Sequence, residues 1–135
     1  MQSQRKLPNW LGTWLSLYQD TGLPRTFATW AGISLIASVL QDNVYLREGS
    51  SILNPNLFIW FIGPTGVGKS EAARPAIELY EQLPFMELYD GSLTATYLFK
   101  HMQNIQQKRA MNNPGITNPR LLIYSDELAD ALGSG

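Results

Sequence analysis

An apolar run that ends in a glycine-rich octapeptide constrains this chain more than any other feature. Leu57-Phe58-Ile59-Trp60-Phe61-Ile62 is followed at once by Gly63-Pro64-Thr65-Gly66-Val67-Gly68-Lys69-Ser70. The octapeptide fits the phosphate-loop pattern G-x-x-x-x-G-K-[ST]. The apolar run predicts a fully buried strand, and the residues from Ser70 to about Leu83 predict a helix. Strand, glycine loop and helix in that order imply an α/β fold. The loop itself implies a bound nucleoside triphosphate with magnesium.

Each residue of the loop has a chemical reason. A triphosphate concentrates negative charge in a small volume. Successive backbone N–H groups curling around a phosphate meet that charge, and the N-terminus of the following helix adds its dipole. Side chains would block the approach, so Gly63, Gly66 and Gly68 suit the turn. Pro64 has no N–H and stiffens the loop. Lys69 reaches the β- and γ-phosphates as a compact cation, and the Ser70 hydroxyl is a magnesium ligand. The expected nucleotide-binding stretch runs from Gly63 through Glu71, with Lys69 also in a catalytic role.

A second apolar run, Leu121-Leu122-Ile123-Tyr124, ends in Ser125-Asp126-Glu127. It predicts a parallel strand whose carboxyl end faces the nucleotide. Asp126 is expected to hold magnesium, directly or through water. Glu127 is expected to be the base that orients and deprotonates the attacking water. The structural alternative is a cap, with Ser125-Asp126-Glu127 starting a short helix through Leu128, Ala129 and Leu132. The two roles are compatible.

Composition bounds the rest. The chain has 135 residues, 44% of them hydrophobic, enough for one domain or part of one. Its net charge of −1 argues against a strongly basic nucleic-acid-binding surface. Cysteine is absent, which excludes disulfides, thiolate metal sites and a cysteine nucleophile. Arg5 and Lys6 precede an apolar stretch, but Pro8, Asn9 and Gly12 interrupt it, so it does not read as a secretory signal. The most apolar long segment, Phe27 to Leu40, is too short to span a bilayer. A cytoplasmic protein without membrane contact is expected.

The N-terminal part, residues 1–43, reads as a helical segment ahead of a nucleotide-binding core over 44–135. Leu7, Trp10, Leu11, Trp14, Leu15 and Tyr18 recur at helical spacing on one face. Gly22 and Pro24 end that helix, and a second runs from about Thr26 to Gln41. It is apolar nearly all round, which predicts packing on two surfaces. Val44 to Arg47 predicts a short strand with a turn over Glu48-Gly49-Ser50-Ser51, and Asn54-Pro55-Asn56 punctuates before the phosphate-loop strand. Beyond the loop, Pro75 falls early enough in its helix to be tolerated, and Pro84 marks the end. Phe85 to Leu88 is a further strand candidate, followed by a turn at Asp90-Gly91. Ser92 or Thr94 is expected to cap a helix carrying Tyr97, Leu98, His101, Met102 and Ile105.

The phosphate loop, the acidic strand and the leading helices together resemble a P-loop ATPase domain of unassigned function from phage and mobile-element proteins. That family is related to primase-associated and superfamily-3-like helicase ATPases. Asn56-Leu57 opening the strand, Lys69-Ser70 followed by Pro75, and Gly91-Ser92-Leu93-Thr94 opening the next helix support the resemblance. It covers roughly Leu23 to Leu132. Gly63 to Glu71 also resembles the phosphate loops of AAA+ protein unfoldases. The resemblance implies a three-layer P-loop fold with a parallel sheet, preceded by two N-terminal helices. It further implies ATP and Mg²⁺ as cofactors, a homo-oligomer, and a DNA or RNA partner in replication. A complete domain of this type needs about five parallel strands. An arginine finger can be worth about 10³ to 10⁵ in rate. The sequence ends directly after the acidic strand, so the expectation is an amino-terminal fragment that binds nucleotide and hydrolyses it poorly alone.

Two other function classes share the loop. A small-molecule kinase would need an acceptor pocket and a basic lid, which the sequence does not display, and a non-catalytic nucleotide-binding module would need neither. His101, at helical spacing from Leu98 and Ile105, reads as a satisfied packing residue rather than a ligand. Trp10, Trp14, Trp30 and Trp60 read as core rather than as base-stacking platforms. Lys100, Lys108 and Arg109 read as a solvated helix end.

Overall fold

The computed structural model describes residues 9–84, 86–90, 94–112 and 120–126. Among them the chain is mixed α/β, with a two-stranded antiparallel sheet and a two-stranded parallel one. It divides into two compact units, Met1–Glu78 and Leu79–Gly135. No helix among the described residues is long and apolar enough to cross a membrane.

In the first unit, α1 covers Trp10–Ser16 and α2 covers Arg25–Leu40. Asn9 caps α1, its side-chain oxygen accepting from the Gly12 N–H at 3.0 Å. Pro24 opens α2 without a side-chain cap, as suits a residue whose fixed φ starts a helix. The predicted face of α1 is the packed one. Trp14 is only 3% exposed, Tyr18 is buried, and the Trp10 and Trp14 rings stack at 5.5 Å. Leu7 lies outside the described residues.

Small residues let α1 approach α2 closely. Ala28, Ala31, Gly32, Leu35 and Ala37 are the buried positions of α2. A Cβ on Gly32 would stand 2.6 Å from the Trp14 ring, too near for any side chain. The indole also needs a partner for its N–H once buried. It donates to the Ala28 carbonyl at 2.7 Å. Trp30 and Ile36, in contrast, face outward, so α2 is not covered on all sides.

The predicted short strand is the first arm of a hairpin: β1, Leu46–Glu48, pairs antiparallel with β2, Ser51–Leu53. The second arm was not expected, and Glu48 and Ser51, read as turn residues, pair as the last and first residues of the two strands. Gly49 supplies the positive φ of 61° that a two-residue turn requires.

The expectation of a fully buried strand over Leu57–Ile62 is corrected. The segment pairs with no strand among the described residues, and its two faces differ. Ile59 and Phe61 are half-buried, and Phe61 stacks on Phe27 of α2 with ring centres 5.0 Å apart. Phe58, Trp60 and Ile62 alternate with them and point outward, Phe58 at 95% exposure and Ile62 at 81%. Alternation at period two is what an extended chain imposes. Helix α2 covers one face, and the other is apolar without cover in this unit. Trp60 is therefore not a core residue here, nor is Trp30.

Helix α3 spans Lys69–Glu81 with Pro75 inside it. Pro75 has no N–H for the carbonyl four residues back. One turn away, the Tyr18 hydroxyl donates to the Ala72 carbonyl at 3.1 Å, which ties α1 to the start of α3. Burial pushes the Tyr18 phenol up from 10.0 to about 12.

In the second unit, β3 (Leu88–Asp90) and β4 (Leu122–Tyr124) pair parallel, with Leu88 opposite Leu122 and Asp90 opposite Tyr124. The connection carries α4, Ala95–Asn112, as a parallel pair requires a long crossover. The first of these strands starts where the Phe85–Leu88 candidate was expected to end. Thr94 caps α4, accepting from the Tyr97 N–H at 3.4 Å. Ile105 is fully buried, with Leu98, His101 and Met102 half-buried on the same face, whereas Tyr97 is exposed. Tyr80, 1% exposed, donates its hydroxyl to the Glu87 carbonyl at the foot of β3.

Candidate functional site

The phosphate loop takes its shape from two left-handed glycines. Gly66 has φ of 81° and Gly68 of 85°, values that L side chains rarely adopt. They turn the chain from the extended segment into α3, with Gly68 in the N-cap position. Ala72 N–H makes the first helical bond, to the Gly68 carbonyl at 3.0 Å. The N–H groups of Lys69, Ser70 and Glu71 precede it and have no partner inside the helix. They are donors gathered at the positive end of the helix dipole.

Lys69 is already oriented. Its ammonium donates to the carbonyls of Gly63 at 2.8 Å and Pro64 at 3.0 Å. An ammonium has three N–H donors. Two are thus spent on holding the loop closed, and one remains for an outside acceptor. The charge is fixed above the loop rather than left to wander on its four-carbon stem.

The loop has room for an anion where a side chain would fill it. A Cβ on Gly66 would meet nothing within 4 Å. Gly63, Pro64, Thr65 and Gly66 are exposed, while Val67, Gly68, Lys69 and Ser70 are half-buried. Glu71 is exposed in the first turn of α3. The stretch from Gly63 through Glu71 is thus exposed at its two ends and half-buried between them. This arrangement fits a phosphate group: uncommitted N–H donors, a positioned cation and a hydroxyl within one turn.

Two residues that sequence reasoning did not single out buttress the loop. Leu23, in the breaker stretch between α1 and α2, presses against Gly68 so closely that an added Cβ would overlap its Cδ2 methyl. Phe27 approaches Gly63, whose added Cβ would lie 3.6 Å from the ring and 3.0 Å from Val67. Phe27 carried a helical signal only, and Leu23 carried none, since an isolated leucine between Gly22 and Pro24 belongs to no period.

In the second unit, Asp126 follows the end of β4 at an exposed position. Its carboxylate accepts a hydrogen bond from the Tyr124 hydroxyl. Glu127, the expected base, lies outside the described residues, as does the helix that Ser125-Asp126-Glu127 would have capped. Among the described residues no cluster of three His, Cys, Asp or Glu could hold a metal by protein groups alone. Magnesium at a phosphate site characteristically takes one or two protein oxygens, with phosphate and water completing its shell. Ser70, in the first unit, and Asp126, in the second, each carry an oxygen donor of that kind.

His101 packs edge-on to Tyr89 at 5.3 Å, as a packing residue should. Its Nε2 is buried without a hydrogen-bond partner, which corrects the expectation that it is satisfied. Of the three basic residues expected on a solvated helix end, Lys100 and Lys108 are exposed, whereas Arg109 is half-buried.

Comparison of the chain with protein-family models, with curated proteins and with solved structures returned no match.

Proposed function

We propose that this chain binds a nucleoside triphosphate, ATP in the first instance, with Mg²⁺, as the phosphate-loop part of a motor or helicase-type ATPase. The observation that carries the reading is the Lys69 ammonium held by two loop carbonyls beside the open first turn of α3. A cation held at the loop, next in sequence to the N–H groups of the first turn of α3, is the combination that a phosphate group would use.

In this reading the backbone donors and Lys69 hold the phosphates, and Ser70 and Asp126 take magnesium. Glu127 accepts the proton of the attacking water. The bound magnesium nucleotide supplies the reactive phosphoryl group. The parallel β3–β4 pair, joined through α4 and ending at Asp126, is the topology that a three-layer P-loop fold uses for its acidic strand. DNA or RNA as the partner, and assembly into a homo-oligomer, follow from the resemblance set out above.

Titration calorimetry with MgATP on the wild type and on Lys69→Ala tests the proposal. Removing a charged hydrogen-bonding group from the site costs about 1.5–3 kcal/mol, or about 10- to 150-fold in Kd. Unchanged affinity in Lys69→Ala refutes the phosphate-loop assignment.

A further inference from the structure

A cavity of about 190 Å³ opens on the first unit, lined by Leu15, Tyr18, Gln19, Leu23 and Arg25. Two of its walls belong to the phosphate loop's own support. Leu23 presses on Gly68, the last loop glycine. Tyr18 reaches the Ala72 carbonyl in the first turn of α3. The cavity therefore adjoins the helix turn whose free N–H groups would face phosphate.

Its chemistry differs from the loop's. Leu15 and Leu23 are apolar and Tyr18 is aromatic, a lining for the faces of a flat ring. Gln19 and Arg25 are exposed at the cavity. A carboxamide both donates and accepts, and a guanidinium donates several N–H groups in a plane. That combination recognises a heterocycle edge or a sugar hydroxyl. The volume is below the roughly 300–1,000 Å³ of sites that enclose a whole drug-sized ligand. It suits one ring system, with the charged remainder of the ligand outside.

We infer that this cavity receives the nucleoside end of the triphosphate whose phosphates lie on the loop, with Gln19 and Arg25 reading its polar edge. The inference rests on the phosphate-loop reading above. It makes the helical segment ahead of the loop part of the nucleotide site rather than a neighbour of it. Arg25 opens α2, where a cation opposes the helix dipole.

The test compares MgATP and MgGTP with magnesium tripolyphosphate, which has the phosphates and no nucleoside. Calorimetry on the full chain would use the wild type, Gln19→Ala/Arg25→Ala, Leu15→Trp and Lys69→Ala. The double variant touches only exposed side chains and keeps the fold, whereas Leu15→Trp fills the cavity. Both are expected to weaken the preferred nucleotide about tenfold, as for loss of two modest hydrogen bonds, with tripolyphosphate affinity unchanged. Equal weakening of nucleotide and tripolyphosphate would place Gln19 and Arg25 on the phosphates and overturn the inference. No weakening of either by the double variant, with Lys69→Ala still impaired, would send the nucleoside elsewhere. Loss of nothing in Lys69→Ala is a separate failure, that of the phosphate-loop reading, and removes the inference with it.

Discussion

Alanine at the two left-handed glycines of the loop separates backbone strain from packing. Gly66 and Gly68 have nearly the same φ, 81° and 85°. A side chain in the left-handed region costs roughly 1–2 kcal/mol at either position. They differ in their surroundings, since a Cβ at Gly66 meets nothing within 4 Å and one at Gly68 overlaps Leu23. Overpacking adds about 1–3 kcal/mol, at the lower end where a terminal methyl can turn aside. Gly66→Ala is therefore expected to cost about 1–2 kcal/mol and Gly68→Ala about 2–4. Adding Leu23→Ala to each variant completes the comparison. It should recover about 1 kcal/mol or more beside Gly68→Ala and nothing beside Gly66→Ala. Urea unfolding followed by tryptophan fluorescence, to which buried Trp14 contributes, gives these values, with a constant m-value as the check that the unfolding reaction is unchanged. Equal costs for the two glycine variants, with no coupling to Leu23, would refute the claim that Leu23 packs against the loop at Gly68.

Two further outcomes follow from burial. The Tyr18 phenol, pushed up to about 12, keeps its proton in the folded state at pH values where the unfolded chain loses it. Between pH 10 and 12 the folded state thus binds more protons, and stability is full below that window and falls as pH rises through it. Stability measured against pH should show this loss in the wild type and a smaller one in Tyr18→Phe, which also gives up about 0.5–1.5 kcal/mol at neutral pH with the bond to Ala72. In the second unit Ile105 is 1% exposed. Ile105→Ala should cost about 2–5 kcal/mol, read by denaturant unfolding, and a cost near zero would mean that α4 does not pack as described.

The first helix was legible because burial and period agree in it, whereas α2, apolar nearly all round, shows no period that marks its buried face. Leu11, Trp14, Leu15 and Tyr18 form one face in sequence and in space, and Pro24 and Thr94 open α2 and α4 where backbone chemistry requires a start. The loop was legible for a different reason: few residue types tolerate the positive φ that Gly66 and Gly68 adopt. Strand burial was not legible. Leu57–Ile62 is apolar at every position, and such a run cannot say which face is covered, because covering depends on partners far along the chain. The second hairpin arm was missed because Ser51-Ile52-Leu53 is short and adjoins punctuation. Leu23 and the cavity beside it arise only when separate segments meet, so no local pattern announces them.

The exposed face at Phe58, Trp60 and Ile62 also has a colloidal consequence. Six consecutive apolar residues without charge or proline form the kind of segment that templates intermolecular β-sheet. Pro55 and Pro64 stand on either side of it, and neither can donate to a growing ladder. Asn54 and Asn56 before it and Gly63 after it disfavour strand further. The stretch is thus fenced to the six residues the fold uses, and the proline that stiffens the phosphate loop is also the gatekeeper at its downstream end.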